Sequence, residues 1–156
     1  MTFHILTLLH LLASIIWIGG MFFAHQCLRP AAIATLEQPA LRLGLWRAVF
    51  GRFFPWVWGC IVVLVGSGQI LVVHMGGMGA VPVQIHVMLA IGYLMALIFA
   101  FLYFVPFAAL KRAVTAQDWP VGAAALNRIR MLVGVNLSLG ILLIIQLFLA
   151  PLVIHA

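Results

Sequence analysis

Charge is scarce in this chain. Asp, Glu, Lys and Arg together make up 6% of its 156 residues, against roughly a quarter in soluble domains. Only Glu37 and Asp118 are acidic, while hydrophobic residues reach 67%. So little polar surface cannot cover a water-soluble fold, which leaves an integral membrane protein. Cysteine is nearly absent as well. Cys27 and Cys60 are the whole complement and form no Cys-x-x-Cys motif, so they read as small packing residues and not as a disulfide or redox pair. The N-terminus lacks the basic start and the small-residue cleavage site of a signal peptide, and is expected to stay as a first transmembrane helix. There is no soluble domain, internal repeat or low-complexity tail, and nothing resembles a nucleophile–base pair, a phosphate-binding loop or a nucleotide-binding domain.

What is present is a set of apolar runs. A helix needs about 20 such residues to cross a bilayer, and four segments qualify, at about 2–28, 44–74, 81–107 and 120–154. The expected fold is all-α, a single integral membrane four-helix bundle spanning residues 1–156. Arg29-Pro30 is expected to end the first helix. Pro55 is expected to bend the second, and the Gly-rich stretch 76–82 forms the second connection. Asp118 suits a helix cap and Pro120 a first helical turn.

Arg29, Arg42, Arg47 and Arg52 flank the first connection, and Lys111, Arg112, Arg128 and Arg130 flank the third. The positive-inside rule then puts connections one and three in the cytoplasm. Both termini and the 76–82 turn fall on the periplasmic side of a bacterial inner membrane. The net charge of +6 reads as topology and lipid head groups, with the bilayer as the partner and no nucleic acid.

Inside these helices a histidine is costly unless it is paired, hydrated or metal-bound. His10 shares one helical face with Ser14, Trp17 and Met21, and this polar face is expected to point into the bundle. Counting depth from the outer helix ends puts His10, Gly66, Met88 and Gln146 in one layer, roughly 10–12 Å deep. His4, His74, His86 and His155 lie shallower, and only His25 lies towards the cytoplasm. Gly59 and Gly66 share a face of the second helix, which suits close helix packing or a flat porphyrin. On the third helix His86 shares a face with Tyr93. Met88 points roughly 200° away from His86, so His10 is offered either a histidine or a methionine partner. Asn136 and Gln146 interrupt the fourth helix and suit interhelical hydrogen bonds.

Several segments resemble the copper-resistance protein D (CopD) family and, more distantly, its HemJ relatives. Leu9-His10-Leu-Leu-Ala-Ser-Ile-Ile-Trp17-Ile-Gly19-Gly20 resembles a His-x6-Trp-x-Gly-Gly pattern. Arg52-Phe-Phe-Pro through Gly66-Ser-Gly68 resembles the family's second helix, Ile85-His86-Val-Met88-Leu its third, and Leu126-Asn127-Arg128-Ile-Arg130 through Gly140 its last. The resemblance implies a four-helix membrane architecture and copper uptake or resistance. In the HemJ branch it implies b-type haem and protoporphyrinogen oxidation, with His10 and His86 at matching positions. HemJ-like sequences have Lys where this chain has Met88, which argues against the oxidase activity here.

Two functions from different classes follow as expectations. The first is a small b-type cytochrome. Haem b is held by His10 with His86 or Met88, against Trp17, Gly66 and Tyr93, and passes electrons between a quinol and a periplasmic acceptor. The alternative is copper transport or resistance through His4, His10, His74 and His86, helped by Met75, Met78 or Met88. A structural membrane partner without a cofactor, or a homo-oligomer, is the plainer reading. No catalytic residue is assigned.

Overall fold

A computed structural model describes the backbone of residues 1–154 and the side chains of residues 1–147 and of Leu149. Among the described residues there are four long helices, α1 (Thr2–Thr35), α2 (Pro39–His74), α3 (Val83–Thr115) and α4 (Trp119–Ile154), each long and apolar enough to cross a membrane. The chain is an all-α, multi-pass membrane four-helix bundle. Large apolar side chains stay exposed on every helix, a surface that suits lipid and not water.

The helices run further than the apolar stretches that mark them. Arg29-Pro30 does not end α1. Instead the helix widens into a π-helical segment, Phe23–Leu28, and continues as α-helix over Arg29–Thr35. Pro30 falls in the first turn of that second piece, directly after the widened segment. The third helix repeats the device. A π segment, Tyr103–Phe107, holds Pro106, and α-helix resumes over Ala108–Thr115. Widening the turn relieves the clash of a proline ring with the preceding carbonyls. The second helix starts at Pro39, five residues ahead of the expected 44, with Gln38 extended before it.

The links are short and locally capped. Gln117 takes a left-handed φ of 58°, and the Asp118 N–H donates to Ala113 O at 2.9 Å, which closes α3. The Asp118 carboxylate then accepts the Val121 N–H at 3.1 Å, the cap expected of it. After α2, Gly76 and Gly77 have φ of 96° and 85°, a backbone that favours glycine. The α1–α2 and α3–α4 links lie at one end of the bundle, with all eight basic residues around them. The N-terminus and the α2–α3 turn lie at the other, neutral end.

In the bundle α1 packs along α2 and α3 along α4, while α2 and α4 touch each other. This leaves α1 and α3 at opposite corners, meeting through Trp17 and Phe99 with ring centroids 6.3 Å apart. Aromatic rings fill the centre. Trp46, Phe50, Phe54 and Trp58 recur every fourth residue of α2, so they share a face. Phe50 stacks on Phe54 at 4.9 Å, and Phe54 meets Phe107 edge-on at 4.8 Å. Gly20 lets the Phe53 ring lie against the α1 backbone.

Candidate functional site

Among the described residues, His10 is the histidine whose ring bonds to a side chain on another helix. His10 Nδ1 is 2.8 Å from the Ser67 hydroxyl, across the α1–α2 seam. Ser67 Oγ also donates to Val63 O at 2.6 Å. A hydroxyl has one proton, and with that proton on Val63 the oxygen must accept from His10 Nδ1–H. The network therefore assigns the proton to Nδ1 and leaves Nε2 with its lone pair. Ser67 is itself buried, and the His10 ring lies over Gly68, where an added Cβ would come 3.5 Å from Cε1. On the same helix the Ser14 hydroxyl donates to His10 O at 2.8 Å.

His74 and His86, at the neutral end, are exposed and bonded locally. His74 Nδ1 is 2.9 Å from Ile70 O and His86 Nδ1 is 3.2 Å from Pro82 O, each within its own turn. His4 is exposed and stands edge-on to Phe3. His155 lies outside the described residues. Among the described residues, no three His, Cys, Asp or Glu side chains converge as a metal-binding group.

The expected layer is only partly assembled. Gln146 reaches α3, donating to Gln84 O at 3.2 Å. Met88 is half-buried and His86 exposed, and the interhelical bond of His10 runs to α2, not to α3. Gly66 has open space around it, and Ser67 and Gly68, the next two residues, are the ones that meet His10. Tyr93 is exposed, and its hydroxyl accepts from Gln69 Nε2 at 2.6 Å, tying α3 to α2. Trp17 is buried in the core beneath His10. Asn136 is buried and donates to Met95 O at 3.1 Å, while its Oδ1 has no partner.

A second group of polar atoms lies at the basic end. Arg130 is half-buried with its guanidinium 5.5 Å from the Trp46 ring centre. His25, in the α1 π segment, turns Nε2 towards Gly134. The buried atoms His25 Nδ1, Trp46 Nε1 and Arg130 Nε all lack partners. The hint in the sequence was an arginine two residues further into the fourth apolar run than Arg128.

The model of one known family, described as Copper resistance protein D, matches residues 47–150. The chain belongs to the CopD family. The matched segment starts in the first turns of α2 and extends through α3 into α4, so it includes Ser67, Gly68, His74, His86 and Met88. His10 lies ahead of it, joined to the CopD segment by the Ser67 bond. No match was found among curated proteins, and none among solved structures.

Proposed function

We propose that this CopD-family protein handles copper at the neutral end of its bundle, with His10 as the membrane-embedded donor and His74 as an outer one. The observation that carries the reading is the His10–Ser67 pair. A ring nitrogen held by a hydrogen bond while the other keeps its lone pair is the usual preparation of a histidine ligand. His74 follows Ser67 by seven residues, about 10 Å along α2 and on the same face. It therefore sits above His10 on the seam. Met75 and Met78 are exposed in the adjoining turn, and imidazole with thioether suits copper.

Copper(I) affinity of the purified protein in micelles, measured by competition with a chromogenic chelator, tests this. His10→Ala is expected to weaken binding by tenfold or more, and Ser67→Ala by about tenfold through the freed ring. Unchanged affinity in His10→Ala would overturn the proposal.

Haem b would draw on the same His10 nitrogen, but no bond or contact favours it over copper, and no electron-transfer step is assigned.

A further inference from the structure

A different feature, at the opposite end from His10, points to a ligand of another kind. Between the end of α1, the start of α2 and the first turns of α4 lies an open cavity of about 210 Å³. That is more than ten times what a single water requires. Its polar lining is Arg42, Asn127 and Arg130, and its walls are the apolar side chains of Ile33, Leu43 and Leu126. Arg130 is pre-positioned there. Its guanidinium lies over Trp46, and its Nη1 is held loosely by Asn127 Oδ1 at 3.4 Å. Its Nε is buried without a partner.

Arg42 and Arg130 line the same cavity, so two like charges share it. The chain has little with which to answer them. Of its two acids, Asp118 caps α4 and Glu37 is exposed in the α1–α2 link. A cluster of like charges with an unused buried donor calls for an anion from outside the chain. Basic pockets between transmembrane helices suit phosphate head groups. The apolar walls add what an acyl chain needs and a free anion does not.

We infer that this pocket holds the phosphate of an anionic phospholipid, gripped by Arg42 and Arg130, with its acyl chains along Ile33 and Leu126. The lipid neutralises the convergent arginines and staples α1, α2 and α4 together where their polar ends meet.

Native mass spectrometry of the full chain, exchanged into micelles containing phosphatidylglycerol and phosphatidylcholine in equal amounts, tests the assignment. Wild-type protein is expected to retain phosphatidylglycerol at least about fivefold over phosphatidylcholine. Arg130→Gln and Arg42→Gln should each reduce that preference by roughly fivefold. Arg112→Gln, an exposed basic residue outside the cavity, should leave it unchanged. Should Arg130→Gln fail to fold, Arg42→Gln and Arg130→Lys carry the test, the lysine variant keeping most of the preference. Equal retention of the two lipids would overturn the inference, and so would an equal loss in Arg112→Gln. Displacement of the lipid by millimolar inorganic phosphate would mark a free-anion site and overturn the lipid assignment.

Discussion

Gly19 and Gly20 are neighbours with different surroundings. A Cβ at Gly20 would run into the Phe53 ring, whereas one at Gly19 would meet nothing within 4 Å. Gly20→Ala must push aside a ring packed on the core and is expected to cost about 1–3 kcal/mol. Gly19→Ala is expected to be neutral or to gain up to about 1 kcal/mol from helix propensity. Thermal unfolding of both variants in the same micelles checks this, and equal shifts would mean that Phe53 swings away freely. Sequence showed the two glycines as one motif, because a motif records residue types and not what stands opposite. The histidines behave the same way. Their chemistry and depth were legible, but the partner that singles out His10 is a serine on another helix, and the offset between Gly66 and Gly68 depends on how α2 is rotated in the bundle.

At the scale of the helix, the π segment in α1 solves a problem of register. Ala13 and Ala32 are both buried, although they stand nineteen positions apart. Along an uninterrupted α-helix that spacing leaves them roughly 100° out of line. A turn closed i→i+5 takes up about one extra residue and brings Ala32 back to the inner face. In a Cys27→Ser background, Ala32→Cys is therefore expected to react with a maleimide about tenfold more slowly than Ala31→Cys or Ile33→Cys. An unbroken helix would protect Ala31→Cys instead. The spans themselves were plain from hydropathy, yet both odd-numbered helices were read as ending too early. Hydropathy stops where charges start, at the lipid boundary, while the backbone hydrogen-bond ladder continues past it. A proline that seems to stop a helix needs only a wider turn beneath it.

For the whole molecule, the distribution of charge makes a directional statement. With every Lys and Arg around the two links at one end, the positive-inside rule predicts that end to be cytoplasmic. Alkaline phosphatase fused after Gly77 should then be active in bacterial cells, and fused after Glu37 inactive. The reverse pattern would invert the topology. Between the two ends lies the aromatic centre, and among the described residues Ser67 and Asn136 are the only buried polar side chains. Moving a bare charge through such a medium costs on the order of 20 kcal/mol in the idealised limit. In electrical language the bundle is a capacitor and not a wire: the His10 end forms one plate, the arginines the other, and stacked rings the dielectric between them. If copper binds at His10 as proposed, it is expected to exchange through the neutral face, while the membrane voltage falls across the rings.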